Sequence, residues 1–498
     1  MSRLILAPFD QLSLDRGAMR DADPASDEIL MVESQSMLTS RAWHAQRLHL
    51  VLSAAAHHAE ALRDRGFTVH ETAAATVVDG LAHARAERPD APVVATTPRS
   101  RPLHDALARA KVDLIEDDSF LTPRALVASW SSERLPVMES FYRQQRTRLG
   151  ILMDGSEPAS GRWNFDADNR LPPPKQQHRW PEPLHHPLDD IDRRVWGDIV
   201  DRGLPVVGAP PDGTWATTRA GALRQLQHFV DTGLPEFGPY EDAVPQDTWA
   251  VNHSLLSPYL NLGLLDPDEV VAAALARHER GDVPLASIEA FVRQVVGWRE
   301  FVNAAYWATG SAYPDRNELG ADRPLPPAYD DPSLTRMACL RSTVEDVHRR
   351  GWVHHIPRLM ILANLALTAG VVPQALLSWM RRMFVDAADW VMVPNVIGMG
   401  VHADGGVMMT KPYAAGGAYV NRMTQHCGSC PFDPKKRTGA DACPLTTLYW
   451  DFLARNADEF ARNPRMAAQV ASARRLTDLA DVRERADEVR ERLEHGRL

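Results

Sequence analysis

Short apolar runs alternate with longer amphipathic stretches over the first quarter of the chain, a pattern that predicts a parallel α/β sheet. The runs are Leu4–Ala7, Ile29–Glu33, Thr68–His70, Val93–Thr96 and Val112–Glu116, and the stretches Ala45–Asp64 and Ala74–Arg88 between them have helical periodicity. Alternation of this kind folds as a doubly wound sheet whose ligands sit at the carboxyl ends of the strands. No Gly-x-Gly-x-x-Gly follows the first run, which disfavours a dinucleotide site there.

The pattern then breaks down. Residues 131–215 are polar and rich in proline, as in Pro172-Pro-Pro-Lys-Gln-Gln-His-Arg-Trp-Pro181, and read as a linker between an α/β region, 1–130, and a helical region, 216–498. Helical periodicity returns in Leu223–Thr232, Asp268–Glu279, Ile288–Thr309, Val353–Ala369, Gln374–Phe384 and Leu448–Asn463. Alternating charge through Ala480–Arg497 reads as a solvated terminal helix.

Composition narrows the class. A chain of 498 residues with 44% hydrophobic content suits two or three soluble domains, and no apolar run reaches membrane-spanning length. Met1-Ser-Arg-Leu turns polar at once, so no leader is expected, and a cytoplasmic monomer follows. The net charge of −10 gives no global attraction to nucleic acid, but it leaves room for a local basic groove. Arg143, Arg146, Arg148, Lys175, Arg179, Arg381, Arg382, Lys435 and Lys436 are the candidate phosphate contacts.

The four cysteines carry the sharpest chemistry. Cys427, Cys430 and Cys443 cluster in Cys427-Gly-Ser-Cys430-Pro … Cys443-Pro, and the fourth, Cys339, stands far upstream. A chain so poor in cysteine that gathers three in one loop is suited to a metal centre more than to disulfides. Spacing alone leaves a four-thiolate iron–sulfur cluster, a zinc site completed by His426 or His402, and an unliganded set as alternatives.

Several segments together resemble the photolyase/cryptochrome family. Ser254-Leu255-Leu256-Ser257-Pro-Tyr-Leu-Asn-Leu-Gly263 is similar to its flavin diphosphate loop, although an N-capped helix start is the plainer reading of that stretch alone. Phe291 … Trp298-Arg299-Glu300-Phe301 and Trp352-Val-His354-His355-Ile-Pro-Arg358 resemble two further helices of the family. Gly161–Arg170, Tyr240–Ala243, Asp389-Trp-Val-Met-Val-Pro-Asn395, Ala403-Asp-Gly-Gly and Thr410-Lys-Pro-Tyr413 follow in the family's order. With the cysteine spacing, the resemblance narrows to the iron–sulfur bacterial cryptochromes and photolyases, the prokaryotic (6-4) photolyases, and favours the [4Fe–4S] cluster.

That resemblance implies an α/β antenna domain joined to an all-α FAD-binding domain, and light-driven repair of (6-4) lesions in UV-damaged DNA. A signalling cryptochrome without repair is the alternative. Ser254 and Ser257 would bind the FAD diphosphate, Tyr240, Trp298 and Arg299 would line the cofactor, and Arg358 would pair with Asp386 or Asp389 beside the isoalloxazine. Asn395 would face the flavin N5. His354-His355, where cyclobutane-dimer enzymes carry His-Asn, implies His355 as proton donor to the lesion. Tyr413 and Tyr419 would complete the lesion pocket. Asp242 is a candidate magnesium ligand, with a surface carboxylate as the plainer reading.

The chain departs from the branch in two places. Electrons would enter through Trp379, but its usual aromatic neighbour is Met380, and a second aromatic expected before Cys339 is missing around Asp330-Asp331. The antenna ligand of the branch, 6,7-dimethyl-8-ribityllumazine, would meet Phe9-Asp10-Gln11-Leu12 and Trp43-His44-Ala45-Gln46-Arg47, where Phe9 and Ala45 replace a glycine and a lysine.

Overall fold

The computed structural model describes residues 3–498; Met1 and Ser2, where the expected absence of a leader was read, lie outside the described residues. All five apolar runs become strands of one parallel sheet, in the spatial order Thr68–Ala74, Glu28–Ser34, Leu4–Leu6, Val93–Thr96, Asp113–Ile115. Ile5 is in register with Ile29 on one side and Val94 on the other. The three central strands are largely apolar because both faces are covered, whereas the edge strands Thr68–Ala74 and Asp113–Ile115 expose Thr68, Glu71 and Asp113. Ile5, Ile29 and Val94 pack with Leu50, Ala54 and Leu62 of the helix Ala45–Asp64. Leu4, Leu6, Leu30 and Val32 pack on the other face with Leu81 and Leu107. The first of these layers continues into Tyr259, Leu260 and Val295, so the sheet and the helical region share one apolar core.

Two twelve-residue helices lie within 131–215, Met138–Leu149 and Asp190–Asp201, and residues 162–189 between them hold neither helix nor strand. The first was hidden by its arginines. Arg146 is 1% exposed, and its guanidinium donates to the carbonyls of Ile151, Leu152 and Trp163. It is therefore a structural capping group and not free for a DNA phosphate.

The helical region follows the predicted order, with added wide turns. Leu285–Val292 and Glu300–Thr309 are joined by a π-helical turn, Arg293–Arg299, and similar turns occupy Phe229–Gly233, Pro357–Ala363 and Pro394–Gly400. Such turns cost regular hydrogen bonding and gather at functional sites. Three of the four carry expected site residues: Trp298 and Arg299, Arg358, and Asn395. The last helix, Leu479–Glu494, buries Val482, Ala486, Val489 and Leu493 in one stripe against Pro444–Arg455. Arg490 pairs there with Asp451, each side chain 3% exposed. The terminal helix is thus part of the core and not solvated all round.

Candidate functional site

Cys339, at the start of the helix Ala338–Arg350, meets Cys427, Cys430 and Cys443 in one pocket. Met337, Val420, Phe432 and Leu445 complete a largely apolar lining. Burial pushes the Cys339 thiol well up, and the other three thiols push it further. A side chain at Gly417 would begin 2.8 Å from Cys443 Sγ, so glycine is what leaves that sulfur room. No three of the four sulfurs come within 4.8 Å of one another. His426 lines the same pocket, and His402 lies elsewhere, against Phe460.

A second group forms where three segments converge. Arg358 donates both terminal nitrogens to Asp386, at 3.0 Å each, and Ser257 Oγ donates to the same carboxylate at 2.7 Å. Asp386 is the partner of Arg358, whereas Asp389 pairs with Arg381 at 2.9 Å. The loop leading to Ser257 is strained. Val251 and Leu255 both hold positive φ, 50° and 57°, in the left-handed region that a β-branched or bulky residue rarely enters.

Beside this group lie three histidines. His253 stacks on His354, with ring centroids 4.4 Å apart, and His355 completes a cluster whose ring nitrogens lie within 4.8 Å. Burial first, and then the neighbouring His253, His355 and Arg358, hold His354 well below the usual histidine range, so it stays neutral. His355 is exposed, and its Nε2 meets Asp242 Oδ1 at 3.0 Å. Burial opposes ionisation of Asp242, but its hydrogen bond and charge pairing with His355 prevail, and its pKa falls. Glu241 beside it is pushed up to about 7, chiefly by burial. Arg170 approaches both acids at 3.9 Å; its charge acts on Tyr413 and Tyr419, and that of Asp242 on Tyr419.

Sequence reasoning gave no role to His253, Glu241 or Arg170. His253 directly precedes the phosphate-loop segment, and Glu241 and Arg170 lie inside quoted motifs, so position offered a signal. Their roles as partners depend on contacts between distant segments.

Comparisons with known proteins decide the family. Residues 3–215 match the family model described as deoxyribodipyrimidine photo-lyase-related protein. The (6-4) photolyase of Agrobacterium fabrum is 39% identical over 97% of this chain and 97% of its own. The chain belongs to the bacterial (6-4) photolyase family. The fold agrees: a bacterial class III photolyase from Agrobacterium tumefaciens superposes with a TM-score of 0.56 at 15% identity, covering 99% of this chain and 98% of its own. A Synechocystis cryptochrome superposes at 0.53 and 15% identity, over 80% of this chain and 83% of its own.

The remaining expected residues of this photolyase have partners of their own. Arg299 pairs with Glu300 at 2.7 Å, and its guanidinium lies over Phe120 and Trp390. Tyr240 packs with His178 and Trp180, and Asn395 donates to Val391 O of its own helix at 2.8 Å. Trp298 packs edge-on against Phe301. Trp379 is buried, and Tyr329 stands edge-on to it at 5.2 Å. An aromatic neighbour is therefore present, one residue before the Asp330-Asp331 step where it was expected to be missing. In the sheet region Arg47 donates to the carbonyls of Arg381 and Phe384, and Arg99 donates to those of Asp10 and Asn261. Among the described residues no helix is long and apolar enough to cross a membrane.

Proposed function

We propose that this photolyase repairs (6-4) photoproducts in UV-damaged DNA, with FAD in the helical region and a [4Fe–4S] cluster in the cysteine pocket. The observation that carries the reading is the 39% identity with a (6-4) photolyase over nearly the whole of both chains. Buried polar atoms without partners fit a polar cofactor: Arg299 Nη2, Asn303 Nδ2, His253 Nε2 and Trp390 Nε1. Reduced FAD, excited by light, supplies the electron that a lesion flipped from the duplex would receive.

The protein's own part is proton management. His354 is held neutral, so it positions and does not donate. His355 is the exposed imidazole that would pass a proton to the lesion, and the Asp242 carboxylate, 3.0 Å from its Nε2, orients the ring. Asp242 serves His355 in this reading, and with Arg170 also near it has little charge left for magnesium. Tetrahedral zinc would hold its sulfurs about 3.8 Å apart at Zn–S bonds of about 2.3 Å. The wider spacing of the cysteine sulfurs supports the larger cluster. Phe9 and Ala45, standing where the branch carries a glycine and a lysine, support weak binding of lumazine.

The test is lesion reversal by purified, chemically reduced protein under blue light on (6-4) and cyclobutane substrates. Reversal of (6-4) DNA is expected, with FAD and less than one lumazine per chain released on denaturation. Tight flavin without reversal of either lesion would replace repair by photoreception.

A further inference from the structure

The helix Asp190–Asp201 begins with a reciprocal cap. Asp189 Oδ1 accepts from the Asp192 N–H at 3.0 Å, and Asp192 Oδ2 accepts from the Asp189 N–H at 3.2 Å. Each carboxylate therefore keeps one oxygen outside the cap. Those two oxygens, Asp189 Oδ2 and Asp192 Oδ1, each lie 3.4 Å from Nε2 of His57, on the helix Ala45–Asp64. The three atoms lie within 4.8 Å of one another. The contacts are ionic and not aligned as hydrogen bonds: Asp192 Oδ1 and His57 Nε2 are both buried without a hydrogen-bond partner. The Asp192 side chain is only 4% exposed, where an unpaired carboxylate oxygen is costly.

The spacing has a physical meaning. Ligands about 2.1 Å from a tetrahedral metal stand about 3.4 Å from one another, and one imidazole with two carboxylates is a donor set that zinc accepts. We propose that His57, Asp189 and Asp192 form a divalent-metal site suited to zinc, separate from the cysteine pocket and from the lesion site. A cation at a helix N-terminus opposes the helix dipole, but the two carboxylates are favoured there and reverse the local sign. His49 contacts Asp192 O at 3.1 Å and helps hold the ligand loop, and Glu60 adds negative charge from the same helix as His57. Asp189 is 51% exposed, which opens the site to solvent. The metal would clamp Asp190–Asp201, at the end of the irregular stretch 162–189, onto the sheet region.

The test uses full-length protein with its iron content measured in each sample. Wild type, His57→Ala and Asp189→Asn are incubated with zinc sulfate and desalted, and zinc is counted by mass spectrometry. Wild type is expected to retain one zinc per chain more than either variant at equal iron, and zinc should raise the melting temperature of wild type alone. Asp189 is half-exposed and asparagine still caps a helix, so that variant keeps the test valid if His57→Ala folds poorly. Equal zinc in all three proteins, or none retained by wild type, would overturn the site and leave a protonated His57 between two carboxylates.

Discussion

Around the four cysteines the walls are Met337, Val420, Phe432 and Leu445, whereas around Asp386 and Asp242 the charged side chains pair with one another. No lysine or arginine lines the cysteine pocket, so the charge of its thiolates depends on what occupies it. The histidine and carboxylate pocket carries its own balance: Arg358 against Asp386, and His355 against Asp242. An occupant there is positioned by a framework that already stands. On the proposed function, the contrast separates residues that would hold the protein together through a ligand from residues that would act on one.

The largest effect should therefore come from the cysteines. Cys443→Ser is expected to abolish the cluster and most soluble yield, because the ligands tie Ala338–Arg350 to the loop after His426. Iron and sulfide assays on the soluble fraction check this. Wild-type yield with full repair but no iron would erase the contrast between the pockets.

His355→Asn should act on chemistry and leave the framework alone. A positioned general acid contributes about 10²–10⁴-fold, so repair of (6-4) DNA per photon should fall by that range with flavin content unchanged. Undiminished repair by the mutant would remove His355 from the mechanism.

Asp386→Asn breaks the framework itself, leaving Arg358 with a weaker partner and Ser257 without its acceptor charge. The loss should be on the order of 2–3 kcal/mol, since Arg358 is partly exposed and a charged hydrogen bond is at stake. Denaturant unfolding measures it, and flavin retention should drop in parallel. A value near zero would mean that the cofactor, not the ion pair, organises the pocket.

The smallest change expected is kinetic. Trp379→Phe removes the buried indole that donates to Tyr329 O and Asp330, and flavin photoreduction followed by absorbance should slow in the folded, flavin-loaded fraction. Equal rates in the two proteins would send electrons by another path.

Much of this molecule was legible as periodicity and residue identity. The five strands, most of the long helices and the four-cysteine set depend on local pattern: short apolar runs, stripes at helical spacing, and a residue type too rare to cluster by accident. The helix Met138–Leu149, and the burial of the predicted terminal helix, were obscured because the buried positions include Arg146, Arg485 and Arg490, which read as surface charge until their carbonyl or carboxylate partners are known. Only the tertiary structure paired Arg358 with Asp386 instead of Asp389, set His253 on His354, and placed Tyr329 against Trp379. Each of those contacts joins segments distant in the chain. Periodicity places a side chain on one face of its own element, and the partner that neutralises or stacks on it is set by how separate elements pack.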